Sequence, residues 1–161
     1  MFTIKADYSE QTDLKANAAR ARAFFAEPRN FVELMPGIES IRNGAGGVKI
    51  WTVSADVPML GSMRAAFPLA RTEDTASLIE WSPAPGEKSN LLRYSIEFEE
   101  RAGLTLARIT LRVEMRREQA KELHLLAGLV GAGRISAEMQ RYVTMMIKTF
   151  MERARKRLEA Q

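Results

Sequence analysis

The stretch "ISAEMQRYVTMMIKTFMERARKRLEA", residues 135–160, decides how the rest of the chain is read. Ile135, Met139, Tyr142, Val143, Met146, Phe150 and Ala154 recur at steps of three and four, the period that gathers side chains on one face of a helix. Glu138, Arg141, Lys148, Glu152, Arg155 and Lys156 take the opposite face. Neither Pro nor Gly interrupts the run. Ser136 is the expected N-cap, because its hydroxyl can accept a free N–H of the first turn. Arg153, Arg155, Lys156 and Arg157 suit the negative end of the helix dipole. At about 1.5 Å per residue the helix is roughly 35 Å long, enough to cross a small domain. Such a helix needs an apolar surface to cover, and the preceding sequence supplies one.

Phe2, Ile4 and Ala6 alternate against Thr3, Lys5 and Asp7, the pattern of a half-buried strand, which should run to about Leu14. The period then changes. Asn17 is the expected cap of a short helix over 18–26, and Pro28 opens a second one. Phe24, Phe25, Phe31, Leu34 and Met35 form the apolar side of this pair, and Pro36-Gly37 ends it. From residue 38 the period returns to two. Asn43-Gly44 is a tight-turn signal, since both residues accept positive φ. Trp51, Val53, Ala55 and Val57 share one strand face. Met59, Met63, Ala65, Phe67 and Leu69 share the next, with Ser62, Arg64 and Ala66 opposite. Pro68 implies an edge strand or a bulge. After the short "ASLIEWS" and a turn-rich connection, Leu92, Tyr94, Ile96 and Phe98 alternate against Arg93, Ser95, Glu97 and Glu99. Ile109, Leu111, Val113 and Met115 alternate against Arg108, Thr110, Arg112 and Glu114.

Strands with one apolar and one charged face, joined by short turns, imply an antiparallel sheet with one wet side. The expected architecture is α+β. A curved antiparallel sheet of about seven strands grips the long C-terminal helix, and two short helices follow the first strand. Residues 1–161 are expected as one domain, which at this size buries roughly 70% of its unfolded surface and can spare room for a cavity.

Composition narrows the function. The chain has no Cys, which removes disulfides and thiolate metal sites. His124 is the one histidine, so a multi-His metal site or a two-imidazole dyad is excluded; it reads as a semi-exposed helical residue. No metal and no cofactor is expected. Gly128, Gly131 and Gly133 are spaced G-x-x-G-x-G, with no strand before them and no G-K-S/T, which is not a phosphate loop. They read as a flexible connection or as a lid over a cavity. The net charge of +4 reads as solvated faces rich in Arg, with transient contact to an anionic membrane as the alternative. No basic stretch is interleaved with aromatics, so nucleic acid is not an expected partner. No basic-then-apolar leader and no 18-residue apolar run is present, and the cytoplasm is the expected location. The acidic residues of the last two strands alternate with Arg and suit cross-strand pairing on the wet face rather than catalysis.

The order of elements, together with "ANAARARAFFAEPRNFVELMPGIESI" at residues 16–41, resembles the START-like or SRPBCC helix-grip superfamily. That group includes polyketide cyclase/dehydrase-type proteins, lipid-transfer domains, pollen allergens and a set of proteins associated with carbon monoxide dehydrogenase. The matching positions are Phe24 and Phe25 in the first helix, Pro28 between the helices, and Pro36-Gly37 before the second strand. The resemblance implies a hydrophobic cavity between sheet and long helix. It carries no shared catalytic motif.

The expected lining is Trp51, Met63, Phe67, Trp81, Tyr94, Phe98, Met139, Tyr142 and Met146. Met is adaptable and recurs where varied apolar partners are accommodated. Tyr94 and Tyr142 are the polar groups expected inside. In a cavity either orients a ligand carbonyl or hydroxyl, and in a solid core each bonds to backbone or water. The leading expectation is a carrier or sensor of a small hydrophobic molecule: a lipid, polyketide or quinone-like compound. A cyclase/dehydrase-like enzyme using Tyr94 and Arg64 is the alternative, although Arg64 falls on the polar strand face. A partner- or membrane-docking module is the third reading. The charged face also leaves a homodimer open.

Overall fold

The structure, a computed structural model, describes residues 1–160. Strand β1 (Phe2–Leu14) is followed by α1 (Ala18–Ala26) and α2 (Pro28–Leu34). Six strands come next: β2 (Ile38–Asn43), β3 (Lys49–Val57), β4 (Gly61–Asp74), β5 (Leu78–Pro83), β6 (Asn90–Arg101) and β7 (Leu104–Arg117). The short α3 (Ala127–Val130) leads into α4 (Ala132–Glu159). All seven strands form one curved antiparallel sheet in the order β1-β7-β6-β5-β4-β3-β2. The expected α+β helix-grip architecture is the observed one.

The period-two pattern explains which way the sheet faces. Leu92, Tyr94, Ile96 and Phe98 on β6 and Ile109, Leu111, Val113 and Met115 on β7 are buried, while Arg93, Glu97, Arg108 and Arg112 between them are exposed. The outer face carries solvated pairs such as Arg93–Glu80 at 3.6 Å and Lys5–Glu114 at 3.7 Å. Exposed pairs of this kind contribute less than about 1 kcal/mol each, so the fold rests on the inner face. At the short helices the local signals act as read: the Asn17 side chain accepts from Arg20 N at 2.8 Å, and Pro28 occupies the first turn of α2.

Five local expectations change. Helix α4 starts one turn early, at Ala132, with Gly131 at φ 91 breaking the chain from α3. Gly133 is therefore helical, and the segment before it is a 3-10 turn (Ala120–Glu122) plus α3 rather than one helix and a loop. Ser136 is not a cap; its hydroxyl accepts from Lys5 N at 3.1 Å. Gln140 accepts from Asp7 N at 2.9 Å and donates back to Asp7 O. Two side chains of α4 thus satisfy backbone groups along the free edge of β1, which an unpaired edge strand would otherwise offer to another chain. Met59 lies in the β3–β4 turn at φ 72 rather than on a strand face. Pro68 lies on an interior strand, but β5 pairing begins only at Leu69↔Pro83, so the missing N–H breaks no ladder bond with β5.

Helix α4 is fixed at both ends. Arg153 donates to Leu34 O at 3.0 Å, Arg157 pairs with Glu33 at 2.9 Å, and Arg20 donates to Leu158 O. Nearer its start, the Tyr142 hydroxyl donates to Ser54 O on β3 at 2.8 Å. The helix therefore spans the sheet from β1 to β3 and closes the grip.

Candidate ligand-binding cavity

The interior beneath α4 is filled at one end and open at the other. Phe24 and Phe25 of α1, Phe31 of α2, Phe98 of β6 and Phe150 of α4 pack as a plug of rings. Phe31 stacks on Phe150 at 4.7 Å, and Phe25 meets Phe150 edge-on at 5.8 Å. Phe31 also meets Tyr94 at 5.1 Å and Trp51 at 5.3 Å. Such ring pairs add about 0.5–1.5 kcal/mol each beyond area burial, so this end is rigid. Beyond the plug lies a cavity of about 220 Å³ between β3, β4, the ends of β6 and β7, and the first half of α4. An apolar cavity of about 150 Å³ holds one benzene, so this space suits a molecule of one or two rings. It is smaller than the ~300–1,000 Å³ usual for ligand pockets.

The plug divides the nine sequence-predicted lining residues. Trp51, Met63, Phe67, Met139, Tyr142 and Met146 come together around the cavity. Trp81, Tyr94 and Phe98 do not line it. Tyr94 and Phe98 belong to the plug, and Trp81 lies under the Arg71 guanidinium, 4.8 Å from its ring. Arg64, assigned by alternation to the polar face, reaches the cavity margin, where it pairs with Glu39 at 2.6 Å. The sequence reading missed Arg117, Glu122 and Leu123, which come from the end of β7 and the loop after it. No periodic signal marks them, because they reach the cavity only through the path of that loop. Five of the nine methionines, Met35, Met63, Met115, Met139 and Met146, line the space, which gives it an adaptable wall.

Few polar groups face this wall. Burial raises the Tyr142 phenol above its usual pKa, and the nearby Asp56 carboxylate adds to the effect. Burial pushes Tyr94 well above the usual value, offset only in part by Arg71. Both are neutral donors at physiological pH. Tyr94 donates to Phe25 O at 3.5 Å, at the limit of a hydrogen bond. The Trp51 indole N–H is buried, and no group among the described residues accepts from it. A buried donor left unpaired costs about 1–3 kcal/mol. Among the described residues no cluster of His, Asp or Glu could hold a metal ion, and no helix is long and apolar enough to cross a membrane.

The close approach of Tyr142 to the sheet depends on one glycine. At Gly37 (φ +87) a Cβ would lie 2.5 Å from the Tyr142 hydroxyl oxygen and 2.8 Å from Ser54 O. The Pro36-Gly37 pair that ends α2 in the sequence thus also clears the space in which α4 is tied to β3.

No family model matches the sequence, and no curated protein matches it at a significant level. Solved structures do match. The di-domain ARO/CYC BexL superposes with a TM-score of 0.61 at 18% identity, over 98% of this chain and 51% of its own. This chain therefore spans about half the length of that protein. The Zhui aromatase/cyclase from a Streptomyces species gives 0.63 at 14% identity, covering 95% of each chain. A START superfamily protein from Mycobacterium smegmatis gives 0.50 at 15% identity, over 86% of this chain and 97% of its own. The chain has the START-like helix-grip fold. At such identities the likeness is one of fold.

Proposed function

We propose that the protein binds a small hydrophobic molecule between the curved sheet and α4 and acts as a carrier or sensor. The observation that carries this reading is the 220 Å³ cavity left open beside a tightly packed aromatic plug. A chain that only needed a stable core would fill that space, since empty volume costs roughly 24 cal/mol per Å³. The methionine-rich wall and the scarcity of buried polar groups fit an apolar guest. Leu123 and the exposed Glu122, on the loop between β7 and α3, are among the cavity's lining residues. Leu125 and Leu129 beyond them are 87% and 86% exposed, and Lys121 and Arg134 flank them in sequence. That combination suits transient contact with an anionic bilayer, where a guest is collected or released. The protein is placed in the cytoplasm on this reading.

The test is native mass spectrometry of freshly purified protein, followed by organic extraction. A defined apolar molecule at near-stoichiometric amount is the expected result. An apo mass together with no uptake from a panel of one- and two-ring compounds would count against the reading.

A cyclase-like enzyme is the second reading, favoured by the names of the two aromatase/cyclase neighbours and by Arg64 and Tyr142 at the cavity. Its phenol would be Tyr142, since Tyr94 lies in the plug. Tyr142→Phe separates the two: an enzyme loses turnover of an aromatic polyketide substrate, whereas a carrier keeps its guest.

A further inference from the structure

We propose that the outer face of α4 pairs antiparallel with the same face of a second copy of the chain. Arg134, Arg141, Lys148 and Arg155 recur at every seventh residue, and Glu138, Met145, Glu152 and Glu159 each follow one of them by four. These two columns occupy the d and a positions of a heptad, on the side of α4 opposite its buried apolar stripe. The cations are all exposed, as are Met145, Glu152 and Glu159, and Glu138 is half-buried. Along the helix axis the cations stand about 10.5 Å apart. Pairing within the helix does not account for the order, because an acid four residues after a cation is the weaker orientation. Arg141 does reach Glu138 at 3.1 Å, and Lys156 reaches Glu152 at 3.2 Å. Lys148 lies 6.0 Å from the Tyr8 ring, and Arg134, Arg155 and Glu159 have no charged partner among the described residues.

A twofold axis crossing the helix at the level of Met146 and Ile147 reverses the order of the columns on the second copy. Each a position then shares a layer with a d position of the other helix. Arg134 meets Glu159, Arg141 meets Glu152, Arg155 meets Glu138, and Met145 meets the aliphatic stem of Lys148. The axis repeats every contact, as an isologous interface requires. A groove lined by Gln140, Arg141, Thr144, Met145, Lys148 and Thr149 crosses the middle of this face and receives the central Met145–Lys148 layer. Parallel pairing would set a on a and d on d, which places Arg on Arg and Glu on Glu. The seven-residue period drifts by about 20° per repeat on a straight helix, so the two helices cross at a shallow left-handed angle of about 20°. An anionic bilayer fits this face less well, because Glu152 and Glu159 stand exposed among the cations. A second copy presents both columns in the matching order. The cavity opens beneath the other side of α4, so this pairing leaves its lining uncovered.

Sedimentation equilibrium of the full chain tests this with a charge swap. The wild-type protein is expected to dimerise, and the dimer to weaken at least about tenfold between about 0.05 M and about 0.5 M NaCl. Arg141→Glu sets Glu opposite Glu152 of the second copy, and Glu152→Arg sets Arg opposite Arg141. Each variant alone should therefore dimerise at least about tenfold more weakly than the wild type. An equimolar mixture of the two variants restores both pairs, and should associate about as tightly as the wild type. Both positions are exposed and outside the cavity lining, and circular dichroism checks that the variants fold. A wild-type chain that stays monomeric at low salt would overturn the proposal. So would a dimer that neither variant weakens, or a mixture no tighter than the variants alone. Binding of a monomeric wild type to phosphatidylglycerol vesicles, lost in Arg141→Glu, would assign the face to a bilayer and overturn the pairing as well.

Discussion

Whether the space under α4 is open can be read from the sign of one substitution, Ala65→Leu. Ala65 lies on β4 opposite Val53 and faces the cavity, half-buried. Leu adds three carbons, which at about 0.8 kcal/mol per buried methylene sets a ceiling of about 2.4 kcal/mol. Ordering the longer side chain costs about 0.5–1 kcal/mol, and incomplete burial near the margin removes more of the gain. The expected net effect is a stabilisation of about 0.5–1.5 kcal/mol, in the range of other cavity-filling changes. Urea denaturation followed by circular dichroism measures it as a higher midpoint at unchanged slope. If side chains already fill this region, the added carbons must displace neighbours, and overpacking costs about 1–3 kcal/mol. A destabilisation of about 1 kcal/mol or more would therefore refute the open cavity. The same variant should also retain less of any co-purified guest, which links the stability measurement to function.

The remaining predictions address the parts that hold the cavity in shape. Gly37→Ala should destabilise the protein by at least about 1 kcal/mol more than Gly46→Ala. Both glycines have positive φ, but a Cβ at Gly37 meets Tyr142 and Ser54 whereas one at Gly46 meets nothing within 4 Å; equal urea midpoints for the two variants would contradict the account. Stability should fall as pH rises above about 10, the ordinary phenol value. Tyr94 and Tyr142 have raised folded pKa values, so their contribution is intact below the unfolded pKa and is lost as pH climbs through the folded one. Tyr94→Phe should cost less than about 1 kcal/mol at pH 7, because its one hydrogen bond is long, and should flatten the alkaline loss in urea titrations at pH 8–11. Gln140→Leu removes both bonds to Asp7; faster amide exchange along the outer edge of β1 is expected, with a greater tendency to self-associate in ultracentrifugation.

Much of this architecture was legible because its causes are local. The change of period at Asn17, its return at Ile38 and the unbroken apolar stripe from Ile135 to Ala154 each follow from the geometry of one element. Pro28 and Asn17 act within a single turn. The cavity is different, because its edge is drawn by elements far apart in sequence. Leu92 and Tyr94 share one face of β6 and are indistinguishable by alternation. Leu92 lines the cavity, yet Tyr94 two positions on is sealed against Phe31. Along α4 the same division falls between Met146, which faces the cavity, and Phe150, which stacks on Phe31. What separates them is where α1 and α2 set down Phe25 and Phe31 on the sheet. That depends on the tertiary path of the chain and leaves no mark in the strands beneath.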